Sequence, residues 1–190
     1  LTEDVEKIFE KAGAVLKGHF MLASGLHSPI YWEKFQVLQF PQYTEKLCGM
    51  LADRFRGEQI QVVAGPTTGG IILAHETARQ LGVRSIFAEK VDGGGRAFRR
   101  GFRIDPGEVV LIVDDILTTG QSVREVLAAV KQLGGRVIGI GVLVNRSERE
   151  IDFGVPLFSC LRSETITYTP ETCPLCARNI PLVKPGSSAA

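Results

Sequence analysis

Residues 109–123, VVLIVDDILTTGQSV, decide how this chain is read. An apolar run ends in adjacent carboxylates, Asp114 and Asp115, and after Ile116 and Leu117 the chain enters Thr118-Thr119-Gly120. Gln121 and Ser122 then open a stretch in which Val123, Val126, Leu127, Val130 and Leu133 recur at helical spacing, before a Gly-Gly stop. The succession is a buried strand, an acidic strand end, a glycine-bearing turn and an amphipathic helix. The free N–H groups and dipole at the start of a helix favour an anion, the threonine hydroxyls add donors, and Gly120 lets the backbone approach closely. A phosphate fits there. Asp114 and Asp115 are acceptors suited to vicinal sugar hydroxyls or to a Mg²⁺ that touches them. A phosphate at one end and a diol with a metal at the other describe a 5-phosphoribosyl group. An isolated acidic pair would do no more than end its strand; the whole succession points to a ligand.

Other strand-plus-acid patterns fit less well. A response-regulator receiver normally carries its acidic pair on its first strand, whereas here at least two strands precede it. A P-loop needs G-x-x-x-x-G-K-[ST], and Gly65-Pro66-Thr67-Thr68-Gly69-Gly70 contains no lysine. Gly139-Ile140-Gly141 lies inside a strand pattern, so it is no dinucleotide fingerprint.

Working outward, 60–65, 84–90, 108–115 and 136–145 read as strands, and 41–55, 69–82 and 120–135 as helices. Near-continuous apolar strands alternating with helices predict a parallel α/β sheet buried on both faces. Its ligands would gather outside the carboxyl ends of the strands, where residues 65–70, Asp114-Asp115 and Asn145-Arg146 all fall. A helix is expected over 1–15 through Val5, Ile8, Phe9, Ala12 and Val15, with Thr2 as cap and Glu3 and Asp4 in its first turn. Residues 19–32 read as two short extended pieces around a Ser-Gly turn, 91–107 as a loop, and 163–190 as a proline-rich tail.

At 190 residues the chain is the size of one domain and needs no disulfide scaffold. A net charge of +1 carries no signal for nucleic acid, and none is expected as a partner. No apolar run approaches the ~18 residues of a membrane span, and no signal-peptide core opens the chain, so a cytoplasmic protein without a membrane partner is expected. Cys173 and Cys176 form a C-x-x-C in the tail, but no second cysteine pair lies at zinc-finger spacing, and His19, His27 and His75 are scattered. Ordinary tail cysteines are expected; a zinc shared with Cys160, or a local disulfide, stays open.

VLIVDDILTTGQS resembles the phosphoribosyl-diphosphate loop of the phosphoribosyltransferases. That resemblance implies a parallel α/β core with a hood, and a reaction that exchanges pyrophosphate for a nitrogenous base on an activated ribose. Within the family the likeness to the orotate-using members runs over nearly the whole chain. HFMLASGLHSPIYW is similar to their N-terminal hood, AGPTTGGIILA to their pyrophosphate-side loop, AEKVDGGGRAFRRGF to their mobile catalytic loop, and LVNRSERE to the strand end whose arginine meets the orotate carboxylate. The tail CPLC…IPLVKPGS is similar to a short-chain branch of those members. Residues 1–40 are then an N-terminal helix and hood, 41–162 the phosphoribosyl-diphosphate-binding core, and 163–190 a tail packed on the domain.

The resemblance also implies roles. Asp114, Asp115, Ile116, Leu117, Thr118, Thr119, Gly120, Gln121 and Ser122 would hold the phosphoribosyl part, and Thr67, Thr68 and Gly69 the pyrophosphate. Lys90, Arg96, Arg99 and Arg100, with Asp115, would be catalytic, closing as a glycine-hinged lid (Gly93, Gly94, Gly95) over a leaving group whose charge they offset. Orotate would meet Arg146, Thr118, Tyr31 and Trp32. Mg²⁺ is the implied cofactor, held through substrate and by Asp114 or Asp115. A homodimer is implied, loop 90–100 reaching the neighbouring site. Many orotate-using members carry lysines where this chain has Ala23, and Thr68 or Gly69, so its pyrophosphate side has less positive charge.

Overall fold

The strand 109–117 lies in the interior of a six-stranded sheet, and the rest of the chain is arranged around it. In this computed structural model residues 2–22, 24–163 and 166–185 are described; Ala23 and the side chains of Thr2, Glu3 and Asp4 lie outside them. In chain order the elements are α1 (Thr2–Lys11), β1 (Val15–Met21), β2 (His27–Trp32), α2 (Phe35–Leu38), α3 (Pro41–Phe55), β3 (Val62–Pro66), α4 (Gly69–Leu81), β4 (Arg84–Lys90), β5 (Arg96–Phe98), β6 (Val109–Leu117), α5 (Gln121–Gln132), β7 (Arg136–Asn145), β8 (Leu157–Arg162) and, in the tail, α6 (Pro174–Ala177). The sheet order is β5-β4-β3-β6-β7-β8, parallel except for β5 on the edge. β1 and β2 form a separate antiparallel hairpin.

Side chains of β6 alternate between two cores, as strand geometry requires. Leu111 and Val113 join Phe9, Leu47, Leu51, Phe55 and Leu73 beneath α1, α3 and α4. Val110 and Ile112 join Ile86, Val123, Val126, Ile140 and Val142 on the α5 side. Each fully buried aliphatic side chain contributes about 1.5–3 kcal/mol, so a strand apolar on both faces has no stable place at a solvated edge.

Several boundaries differ from expectation for local reasons. α1 stops at Lys11 rather than Val15, because Gly13 adopts a left-handed φ of 67° and turns the chain so that Val15 pairs with Trp32. The expected loop 91–107 contains β5, an antiparallel return in which Ala88 pairs with Phe98 and Lys90 with Arg96. Gly93, Gly94 and Gly95, all at positive φ, make its turn. β8 extends the sheet beyond β7, and its half-polar sequence, LFSCLR, hides it from a hydrophobic-run reading. Residues of the tail pair with the hairpin, Tyr168 with His27 and Val183 with Phe20. Among the described residues no helix is long and apolar enough to cross a membrane.

Gly139 and Gly141 let α3 lie close on β7. A β-carbon at Gly139 would collide with the ring of Phe55, and one at Gly141 would press on Leu51 at 3.1 Å. Gly139→Ala is therefore expected to lower stability by about 1–3 kcal/mol through overpacking. Urea unfolding checks this: in a Phe55→Leu background most of the loss should vanish, and an undiminished loss would refute the steric cause.

Candidate active site

Because β3, β6 and β7 are parallel neighbours, their carboxyl ends open on one side of the sheet. β3 sends α4 toward β4 and β6 sends α5 toward β7, so the chain winds away in opposite directions from the β3–β6 seam. Such a switch point leaves a crevice. Residues 67–70 follow β3, Asp114 and Asp115 end β6, and Arg146 follows β7.

Asp114 and Asp115 are each only 5% exposed. Consecutive on a strand, they turn to opposite faces. Asp114 Oδ2 accepts the Ser122 hydroxyl at 2.6 Å, on the α5 side, and its Oδ1 accepts the Asp115 N–H at 2.8 Å. Asp115 faces α4 and the hairpin: Lys34 Nζ lies 3.2 Å from its Oδ1 and 3.1 Å from its Oδ2, and the Ile116 N–H donates to Oδ1 at 2.7 Å. Burial, and next the Asp115 charge, push the Asp114 carboxyl up to about 7, against the Ser122 hydroxyl, the Asp115 N–H and Lys34. A buried oxygen-only pair faced by the single ammonium of Lys34 fits a hard divalent cation or a sugar diol.

The loop after β3 has no space for side chains at its glycines. A β-carbon on Gly69 would occupy the place of the Asp115 carboxylate, and one on Gly65 would strike the Gly70 carbonyl. The Thr67–Thr68 peptide is cis. Thr67 is half-buried and Thr68 exposed. The absence of lysine at 69 thus has a steric reason. Lys34 brings a cation to Asp115 from the segment after the hairpin; its only sequence signal was a charged Glu-Lys pair directly behind the hood stretch.

At the start of α5, Gly120 holds φ 76° and a β-carbon there would meet the Phe153 ring at 2.8 Å. Gly120 at the N-cap has no side chain to offer this helix, and Thr118 and Thr119 are exposed beside it. Gln121 leans away to donate to Glu125 at 2.8 Å. Ile116 and Leu117 pack into the cores. Apart from the Gln121 N–H, which Thr119 Oγ1 accepts at 3.4 Å, the first-turn amides of α5 can receive an anion.

The structure separates the four expected loop cations. Arg96 has a side chain 5% exposed, donates to Thr67 Oγ1 at 2.9 Å and the Ala88 carbonyl at 3.2 Å, and faces Glu125 at 3.2 Å. It braces the β3 loop against α5. Lys90, Arg99 and Arg100 are exposed, with Arg100 paired to Glu89 at 2.7 Å.

Arg146 follows Asn145, whose buried amide oxygen accepts both N–H and O–H of Ser147 and shapes the turn. The Arg146 N–H donates to the Leu117 carbonyl at 2.7 Å, which ties this strand end to the β6 loop. Burial lowers the Arg146 guanidinium from its ordinary range, with Tyr31 opposing. Tyr31 is raised, first by burial and then by Glu33. These two side chains are within electrostatic reach of one another. Trp32, on the other face of β2, does not: it meets Phe9 edge-on at 5.2 Å in the core.

Residues 36–163 match the family model described as a phosphoribosyl transferase domain. Over 185 residues the chain is 53% identical to the orotate phosphoribosyltransferase of Pelotomaculum thermopropionicum, covering 97% of each. The crystal structure of orotate phosphoribosyltransferase from Aeropyrum pernix superposes with a TM-score of 0.72 at 26% identity, covering 83% of this chain and 93% of that one. An adenine phosphoribosyltransferase from Thermoanaerobacter pseudethanolicus gives 0.68 at 20% identity, covering 86% and 100%, and shows the fold alone.

Asp114 binds its proton more tightly folded than unfolded, so its contribution to stability is full below the ordinary value of 3.8 and is lost as pH rises through about 7. Asp114→Asn removes that ionisation. The variant is expected to exceed the parent in stability at pH 8 and to approach it at pH 5, measured by urea unfolding; an equal difference at both would contradict the raised pKa.

Proposed function

The chain belongs to the phosphoribosyltransferase family, and we propose that it transfers the 5-phosphoribosyl group of phosphoribosyl diphosphate to orotate, in pyrimidine (UMP) synthesis. The C1′–oxygen bond to pyrophosphate breaks and a C1′–nitrogen bond to the base forms, giving orotidine 5′-monophosphate. The observation that carries the choice of base is Arg146, half-buried, within electrostatic reach of Tyr31 and joined through its backbone to Leu117 of the phosphoribosyl loop. A guanidinium there can bind a planar carboxylate bidentately, which a neutral purine does not need. The 53% identity to an orotate enzyme supports the same reading.

In this assignment Asp114 and Asp115 accept the ribose hydroxyls. Thr118, Thr119, Gly120 and the first amides of α5 hold the 5′-phosphate. Thr67, Thr68 and Gly69 take the pyrophosphate with hydroxyls and N–H groups in place of lysine charge. Arg96 keeps their loop in position, and Lys90, Arg99 and Arg100 offset the charge that builds on the leaving group. Magnesium, held by Asp114 or Asp115 and by substrate oxygens, would add positive charge to the same departing group. Tyr31 closes the base side. Trp32 supports it from the core.

We also propose a cytoplasmic homodimer in which loop 90–100 serves the neighbouring site. The exposure of Lys90, Arg99 and Arg100 on a glycine-turned hairpin supports it.

An absorbance assay with Mg²⁺ and phosphoribosyl diphosphate, run with orotate beside adenine, guanine, hypoxanthine and uracil, tests the function. Turnover of orotate alone is expected, and turnover of another base overturns the assignment. Arg146→Ala should weaken orotate by about 2–5 kcal/mol and phosphoribosyl diphosphate far less; equal losses would count against its role. Mixing an inactive Lys90→Ala/Arg99→Ala chain with an inactive Asp115→Asn chain should restore about a quarter of native activity, because half the random dimers then hold one intact site. No recovery, with subunit exchange verified, would place the loop in its own subunit's site.

A further inference from the structure

The hairpin and the tail bring together side chains that phosphoribosyl transfer does not use. His19 lies on β1, His27 opens β2, Cys173 precedes α6 and Cys176 sits within it. Scattered in the sequence, they converge because the β1–β2 turn folds residue 27 back beside residue 19, while the tail pairs with both strands. One donor atom from each of the four lies within 4.8 Å of all the others. His19 Nε2 is 3.0 Å from His27 Nδ1 and 3.5 Å from Cys173 Sγ. Cys176 Sγ is 3.7 Å from His19 Nε2 and 3.3 Å from His27 Nδ1. His19, His27 and Cys173 are buried and Cys176 half-buried.

We propose that His19, His27, Cys173 and Cys176 form a structural zinc site that staples the tail to the hairpin. Zinc binds nitrogen at about 2.0–2.1 Å and sulfur at about 2.3 Å, so a tetrahedron has N–N, N–S and S–S edges of roughly 3.3, 3.6 and 3.8 Å. The distances of 3.0, 3.3, 3.5 and 3.7 Å between the donors lie close to those edges. The donor set is soft and contains no carboxylate, which excludes calcium and magnesium and favours zinc. His19 is also oriented for it: Nδ1 lies 2.7 Å from the Ile180 carbonyl, where it donates its proton, leaving the Nε2 lone pair aimed at the other three groups. A Cys173–Cys176 disulfide would give neither buried imidazole a partner of that kind. Cys160, which the sequence left open as a partner of the tail cysteines in a zinc site, is instead buried in the core with its thiol 3.8 Å from the Leu47 carbonyl.

The site has a mechanical reason. Ile166, Leu182 and Val183 of the tail are exposed, so the tail has little apolar burial to hold it. Backbone pairs already flank the cluster: Val183 N–H to the His19 carbonyl at 2.8 Å, and His27 and Tyr168 in both directions at 2.9 Å. Zinc, taking two protons off the thiols as it binds, would lock these pairs and with them the hairpin that presents Tyr31. With four protein ligands there is no open position, so the ion has no part in catalysis.

The experiment uses the full chain, without a histidine tag, purified in reducing buffer. Elemental mass spectrometry is expected to find about one zinc per chain, as a closed four-ligand site requires. Co²⁺ added to chelator-stripped protein should give the intense visible bands of a tetrahedral thiolate complex. Cys176→Ser should diminish them, and Cys160→Ser should not. In the stripped chain, protease should cut the tail faster than in the zinc-loaded one. Zinc far below stoichiometry with only weak octahedral Co²⁺ absorption would overturn the proposal, as would metal-free protein with Cys173 and Cys176 oxidised. Zinc content is read independently of orotate turnover, so neither proposal's failure can pass for the other's.

Discussion

Asp114 and Asp115 sit at consecutive positions of a strand buried between β3 and β7, so their charges must be met from both faces of the sheet. One face supplies the Ser122 hydroxyl at the start of α5, and the other supplies Lys34 from beyond the hairpin. The compensation is partial, as the raised Asp114 carboxyl shows. In the proposed function a polar ligand or cation would complete it.

The surrounding geometry follows from this placement. Gly69 has no side chain because Asp115 occupies the space, and Gly120 has none because Phe153 does. Arg96 spans from Thr67 to Glu125, so the loop after β3 and the helix after β6 are held as one unit across the seam. The two glycines thus leave walls made of backbone amides, with little side-chain bulk between ligand and main chain.

The hairpin is held differently from the core. Trp32 anchors it through Phe9, while Tyr31 on the opposite face packs on Phe20 at 5.7 Å, within electrostatic reach of Arg146. Its other end meets the tail, at backbone pairs and at the His19–Cys176 cluster. The hairpin that presents Tyr31 is therefore a small element fastened at both ends, one apolar and one polar.

Apart from β5 and β8, the order of the core strands and helices was legible in local pattern: the apolar runs within 60–65 and 108–115 read as interior strands, and Gly82 and the Gly134-Gly135 pair as helix stops, where the structure has Gly82 and Gly134 left-handed. The position of the candidate site's loops was legible for the same reason, since Asp-Asp, Thr-Thr-Gly and Arg146 stand at or just beyond strand ends on one side of the sheet. What the sequence by itself determined, then, was whatever depends on near neighbours along the chain. Lys34 reaching Asp115 across 81 positions, Arg96 turning inward, Trp32 facing the core and His19 meeting Cys176 were decided only by the tertiary structure. Each is a contact between side chains far apart in sequence, set by how hairpin, sheet and tail pack, and no local periodicity encodes such a distance.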